Sequence, residues 1–151
     1  MFFISIAAFG MNSGPTLKVT LESSAPAAHP TAIVEISNST PHPLRFLRYP
    51  DPVLQASHSF QVALQRRIGM RWVPLEANVR VISEKAAHPF EEVTLAPKEK
   101  WSVNLPLAEV LVDSRGHAFS FTSGRYRLTV RWRARAGDPQ WGSKPVEFRI
   151  P

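Results

Sequence analysis

A chain of 151 residues with 44% hydrophobic residues has the size of one globular domain and is long enough to bury a core. It contains no cysteine, which excludes disulfides, thiolate metal sites and a cysteine nucleophile. Its 18 Lys and Arg against 12 Asp and Glu give a net charge of +6, which fits either an anionic partner or an arginine-rich soluble surface.

The first nine residues, Met1 to Phe9, are apolar but lack the positive charge and the clear cleavage site of a signal peptide. The stretch is also too short to span a membrane. Three interpretations remain: a weak signal peptide, an additional strand, or an upstream start codon with Met11 as the working start. We therefore divide the chain into an N-terminal extension, 1–15, and a folded domain, 16–151. The cytoplasm is favoured as the compartment, with secretion or the periplasm as the alternative.

The first half of the chain consists of short apolar runs separated by proline-containing turns. Alternation of apolar and polar side chains predicts strands at 16–22, 31–37, 43–48, 60–64, 71–73 and 79–82. Residues 49–54 contain two prolines, which fix φ and restrict the residues before them, so we expect a stiff loop there.

The second half continues this pattern and contains the clearest strand. Residues 92–105 predict a strand, a tight turn at Pro97-Lys98 and a second strand. Residues 107–112 fit one helical turn or an irregular crossover, and 145–151 predict a last strand. The stretch 125–135 alternates without a fault, with Tyr126, Leu128, Val130, Trp132 and Ala134 on one side and mainly arginines on the other.

These elements predict an all-β protein, because no helix of about ten residues is credible and no crossover helices exist for a parallel sheet. Gly124 and Tyr126 open a late strand, where a tyrosine corner occurs in immunoglobulin-like sandwiches, so we expect the Tyr126 hydroxyl to bond upstream main chain. The prediction is an immunoglobulin-like antiparallel β-sandwich of about seven to nine strands.

The sequence contains no recognisable catalytic or metal-binding constellation, and we expect no catalytic residue, no metal and no cofactor. The five histidines lie in predicted loops or at their edges, and no two have the spacing that would place both imidazoles on one metal: His29, His42, His58, His88 and His117. A nucleophile elbow, a phosphate-binding glycine loop and a zinc-protease motif are all missing. The sequence therefore predicts a protein that is not an enzyme.

One candidate binding surface is the arginine row of the 125–135 strand: Arg125, Arg127, Arg131 and Arg133. Such a row could bind phosphates of a nucleic acid or another polyanion. Single-strand binders usually interleave aromatic side chains, whereas the aromatic residues of this strand are predicted on the opposite, core face. The alternative is that carboxylates of adjacent strands pair with the arginines; the candidates are Glu35, Glu92 and Glu147.

The second candidate is the loop that follows the third strand, with Arg48, Tyr49 and Asp51 as its protein-binding residues. Its prolines preorganise the main chain, which lowers the entropy lost on binding. Tyrosine and arginine are also the residue types that are enriched in binding hot spots. Proline-rich loops are equally common as plain sandwich connectors, so this alternative stays open.

The order of the motifs resembles a known layout. Residues 17–21, 33–40 and 44–50 look like the start of an immunoglobulin-like module, and 93–105 with 123–130 are similar to its end. The layout is shared by the β-sandwich domain of deuterolysin-type metalloendopeptidases and by the bacterial intracellular proteinase inhibitor type. Lys98 stands where glycine is usual, and no zinc-binding catalytic domain is present, so peptidase activity does not carry over.

The resemblance implies an accessory or inhibitory binding module and names no inhibitory residue. The partner would be another protein, with a protease as one candidate. The competing hypotheses are a nucleic-acid or polyanion binder that uses the arginine row and a structural subunit of a larger assembly.

Overall fold

The computed structural model describes residues 14–22, 29–82, 88–135 and 137–151. Most of the N-terminal extension, with the three interpretations of residues 1–9, lies outside the described residues. In chain order the helices and strands are β1 (Thr16–Leu21), β2 (Thr31–Ser37), β3 (Leu44–Arg48), α1 (Pro52–Ser59), β4 (Phe60–Ile68), β5 (Arg71–Pro74), β6 (Asn78–Val79), β7 (Glu91–Leu95), β8 (Lys100–Pro106), α2 (Leu107–Val110), β9 (Leu111–Val112), β10 (Gly124–Trp132), β11 (Trp141–Gly142) and β12 (Val146–Ile150).

The strands form an all-β, antiparallel structure, as the sequence predicted. One sheet has the order β1-β2-β8, and a second has the order β11-β10-β4-β5, with β12 also pairing with β10. Strands β3 and β7 form a two-stranded sheet, and the short strands β6 and β9 form another. The inward side chains of all these strands except β5 contribute to one hydrophobic cluster. Burial of this apolar surface is the main driving force for the fold.

Strand β10 has the predicted register. Its central side chains Leu128, Val130 and Trp132 are fully buried, and they lie opposite the inward side chains of β4. The predicted tyrosine corner is also confirmed, because the Tyr126 hydroxyl donates a hydrogen bond of 2.6 Å to the carbonyl oxygen of Thr122. The strand therefore ties the core to the loop that precedes it.

Helix α1 is the largest difference from the prediction, which placed a stiff loop at 49–54. The Asp51 side chain accepts hydrogen bonds from the main-chain N–H of Val53 at 2.7 Å and of Leu54 at 3.4 Å, and Pro52 occupies the first turn. A carboxylate N-cap followed by proline is a common way to start a helix, because the capped N–H groups have no partner within the helix. A proline that indicated a rigid loop thus occupies the first turn of a helix, and Asp51 caps it.

Two smaller differences concern residues 78–82 and 107–112. The strand predicted at 79–82 is limited to β6, which covers only Asn78 and Val79. Of the two alternatives for 107–112, the helical turn is present as α2, followed directly by the short strand β9. Strand β6 pairs with β9, so the two irregular stretches bind each other.

The turn at Pro97-Lys98 joins β7 to β8 as predicted. Lys98 adopts a φ of 71°, in the left-handed region that favours glycine. Its main-chain N–H donates to the carbonyl oxygen of Asn38 at 2.8 Å. The buried Asn38 side chain donates to the carbonyl oxygens of His42 and Leu95, so this turn and the turn after β2 support each other.

Candidate functional site

A groove of about 640 Å³ lies between β8 and the segment that follows β3. Its apolar wall consists of three aromatic side chains and three prolines: Tyr49, Phe90, Trp101, Pro50, Pro52 and Pro89. Arg48, Glu91, Ser102 and Asn104 contribute polar groups to its rim. The groove therefore combines aromatic surface with a small number of polar groups, the composition of many recognition sites.

A buried glutamine, Gln55, holds the main chain of the groove residue Tyr49 in place. The Gln55 side chain is fully buried, and its Oε1 accepts a hydrogen bond of 2.7 Å from the main-chain N–H of Tyr49. Its Nε2 donates to the carbonyl oxygen of Leu47 at 3.2 Å and to Oγ of Ser59 at 2.9 Å. One side chain thus connects the end of β3, the start of the loop and the end of α1.

The Tyr49 ring is supported from α1 as well. It stacks on the imidazole of His58 with a centroid distance of 4.3 Å and an interplanar angle of 6°. Across the groove, Phe90 lies 6.1 Å from the Tyr49 ring and is 57% exposed. Trp101 packs against the buried Phe46 at 4.7 Å and is itself half-buried. The aromatic wall is therefore anchored to the core but remains open to solvent.

The structure separates the three residues predicted for this loop. Tyr49 lies in the groove wall, whereas the Asp51 carboxylate is engaged as the N-cap of α1. Arg48 forms an exposed ion pair with Glu91 of β7 at the groove rim. Exposed ion pairs contribute little to stability, because water screens them, so this pair can open when a partner binds.

Sequence reasoning missed Phe90 and Trp101 as members of this site. Both lie some 40 to 50 residues beyond Tyr49, and pairing of β3 with β7 brings Phe90 close to the loop. A phenylalanine directly after a proline, at the end of a predicted loop, was the available signal for Phe90. Trp101 had none, since it occupies an inward position of β8 and its alternation predicts core.

The arginine row lies on the outer face of β10, as predicted for Arg125, Arg127 and Arg131. Arg133 lies beyond the end of the strand, where its main-chain N–H donates to the carbonyl oxygen of Ser59. Strand β12 adds Arg149 to the same face, because it pairs directly with Arg125. The row is thus extended sideways across the sheet rather than along β10.

Carboxylates compensate part of this charge. Glu147 lies 3.5 Å from Arg125 and 3.2 Å from Arg127. Glu92 pairs with Arg135 at 2.7 Å, but from β7, which belongs to another sheet and is not the adjacent strand that was predicted. The prediction for Glu35 was wrong, because its partner in the neighbouring strand is Lys100, at 3.5 Å.

The aromatic residues of β10, Tyr126 and Trp132, are buried on the core face as predicted, but a neighbouring strand adds an aromatic residue to the arginine-bearing face. Hairpin β4–β5 pairs Trp72 with Arg67, and this register places the indole on the arginine face. The Arg127 guanidinium carbon lies 4.2 Å from the Trp72 ring centroid, and that of Arg67 lies 5.9 Å from it. Two cations therefore stack on one aromatic ring, a contact that is favourable even at exposed sites.

Within the described ranges, no three His, Asp or Glu side chains are grouped closely enough to hold a metal ion. Neither helix in that part of the chain has the length and apolar character needed to cross a bilayer.

Comparison with known proteins gives only distant structural likeness. The Se-Met labelled β-glucosidase from Kluyveromyces marxianus aligns with a TM-score of 0.38 and 15% identity over 91% of this chain and 14% of that chain. The same enzyme in complex with glucose aligns with a TM-score of 0.36 and 14% identity over 91% of this chain and 15% of that chain. β-Glucosidase 3B from Thermotoga neapolitana in complex with glucose aligns with a TM-score of 0.38 and 12% identity over 91% of this chain and 17% of that chain.

This chain therefore spans less than a fifth of the length of those enzymes, and a likeness at these TM-scores carries no argument about function. No protein-family model and no curated protein sequence matches it.

Proposed function

We propose that this chain is a non-enzymatic protein-binding module and that the aromatic groove is its recognition surface. The observation that carries the proposal is the wall of Tyr49, Phe90 and Trp101, which is open to solvent yet held in place by buried contacts. Aromatic side chains bury large areas at a low entropy cost, and a preorganised wall keeps that cost small. The resemblance to proteinase inhibitors makes a protease one class of partner to test.

The test is selection of a random peptide library displayed on phage against the wild-type protein and a groove variant, Phe90→Ser. Phe90 is 57% exposed, so its replacement should leave the fold intact. Met70→Ser is the matched control, because Met70 is 90% exposed in the turn between β4 and β5 and does not line the groove. We expect the enriched peptides to bind the wild type and Met70→Ser but not to bind Phe90→Ser. Equal binding to all three proteins would refute the groove as the recognition surface.

The second candidate function is polyanion binding by the arginine face, and Trp72 is the specific observation in its favour. A ring between Arg67 and Arg127 supplies the aromatic group that nucleic-acid binders combine with cations. Binding of single-stranded DNA through about six phosphates should weaken about three-hundredfold between about 50 and 200 mM salt. The double variant Arg127→Gln and Arg131→Gln should abolish this binding to single-stranded DNA and leave peptide binding in the groove unchanged.

A further inference from the structure

Strand β8 forms an outer edge of the three-stranded sheet. It pairs with β2 on one side, and no strand in the described parts of the chain pairs with its other side. Four consecutive β8 residues line the aromatic groove: Trp101, Ser102, Val103 and Asn104. The groove therefore runs along an unpaired strand edge, and such an edge is a template for one more strand.

The hydrogen-bond pattern shows which main-chain groups of β8 face this edge. Next to the ladder, the N–H of Leu107 donates to the carbonyl oxygen of Pro30 at 3.0 Å. Since bonded and non-bonded pairs alternate along an antiparallel ladder, the odd-numbered residues of β8 bond to β2. The N–H and C=O groups of Ser102 and Asn104 therefore point toward the open edge. No hydrogen bond joins these main-chain groups to another residue in the described ranges.

The side chains along β8 indicate what an added strand should look like. Trp101 and Val103 are half-buried on the core side of the strand, whereas Ser102 and Asn104 are exposed on its outer side. A strand beside β8 would place alternate side chains on the same two faces. Its apolar side chains would then contact Trp101 and the rest of the aromatic wall, and its polar side chains would lie next to Ser102 and Asn104.

We propose that the groove binds an extended segment of another protein, with alternating apolar and polar residues, which pairs with the free edge of β8 as a fourth strand of the sheet. This inference rests on the proposed function, because it names the occupant of the same groove. Main-chain hydrogen bonds to Ser102 and Asn104 would provide the pairing, and the aromatic wall would select the apolar side chains. Addition of a strand at a sheet edge is an established mode of peptide recognition.

The first experiment is NMR titration of the full chain with a capped peptide of alternating valine and threonine, with glutamate at both ends. A peptide of the same composition with its valines grouped together is the control. The expected result is that amide hydrogen exchange at Ser102 and Asn104 slows about fivefold or more with the alternating peptide, because a hydrogen bond of this kind stabilises by roughly 1 kcal/mol. The grouped peptide should change it far less.

The second experiment uses two further peptides, each N-methylated at every other residue. N-methylation removes an N–H donor and keeps the side chain, and only one of the two sets faces β8 in a paired strand. We expect one peptide to lose affinity about tenfold or more and the other to keep it within about threefold.

A variant of the protein tests the same pairing by removing a hydrogen-bond donor of β8 instead of one of the peptide. Ser102→Pro removes one edge donor without breaking a bond to β2, a position at which strands tolerate proline. It should weaken peptide binding, whereas Ser102→Ala should not. Thermal unfolding of both variants shows whether they are folded. If Ser102→Pro does not fold, the N-methylated peptides still test the strand pairing.

The outcomes separate this inference from the proposed function. If peptide shifts the ring signals of Tyr49 and Phe90 while Ser102 and Asn104 stay unprotected and both N-methylated peptides bind alike, the groove binds peptide without strand addition and this inference is overturned. If millimolar peptide shifts no groove signal, both proposals fail. Protection of Ser102 and Asn104 in the free protein together with a concentration-dependent dimer would show that a second copy occupies the edge, which also overturns the inference.

Discussion

Replacing Gln55 by leucine should both destabilise the protein and release the main chain of the groove residue Tyr49. Leucine keeps most of the side-chain volume but removes the acceptor for the Tyr49 N–H and the donor to Leu47 and Ser59. Each group left without a partner costs about 1–3 kcal/mol when buried. Because two of the three hydrogen bonds are only part-buried, we expect a total loss near the lower end, about 2–4 kcal/mol.

The assay is urea denaturation of the variant and the wild type, followed by thermal unfolding. For a protein of this size a loss of 2–4 kcal/mol corresponds to a melting temperature lower by about 5–15 °C. Gln61→Leu is the matched control, since Gln61 is an exposed residue on β4 and its change should stay within about 0.5 kcal/mol. A loss below about 1 kcal/mol for Gln55→Leu would refute the reasoning that this side chain holds the loop and the helix together.

Three further changes test the fold and the site. Trp132→Ala removes a fully buried side chain and should cost about 3–5 kcal/mol by urea denaturation, and a loss below about 1 would contradict the register of β10. Lys98→Gly should stabilise the protein by about 0.5–1 kcal/mol, because it relieves a φ of 71°, and a destabilised variant would show that this lysine is not strained. Asp51→Ala should cost about 0.5–2 kcal/mol through loss of the α1 N-cap, whereas an unchanged melting temperature would argue against that cap.

The local structure of this protein could largely be predicted from its sequence. Alternation over 125–135 determined the two faces of β10, because successive side chains of a strand point to opposite sides whatever the strand pairs with. The hydrogen bond of Tyr126 to Thr122 likewise depends on residues close in sequence. The helix at 52–59 was also encoded locally, in the Asp51-Pro52 cap, but two prolines in six residues pointed equally well to a loop.

The functional surfaces depend on tertiary structure. The pairing of β3 with β7 brings Phe90 to Tyr49, and the position of β8 beside that sheet adds Trp101 to the same wall. The register of hairpin β4–β5 likewise places Trp72 over Arg127.

The faces of single strands could be predicted and the groove could not, for a physical reason. Alternation fixes the side of its own strand to which a side chain points, whereas the neighbours of a strand depend on how all inward faces pack into one core. The sequence by itself therefore determined that the protein is all-β and that one strand has an arginine-rich face. Only the tertiary structure decided that three distant aromatic residues form a groove and that this groove runs along an edge of β8 with which no strand of the described residues pairs.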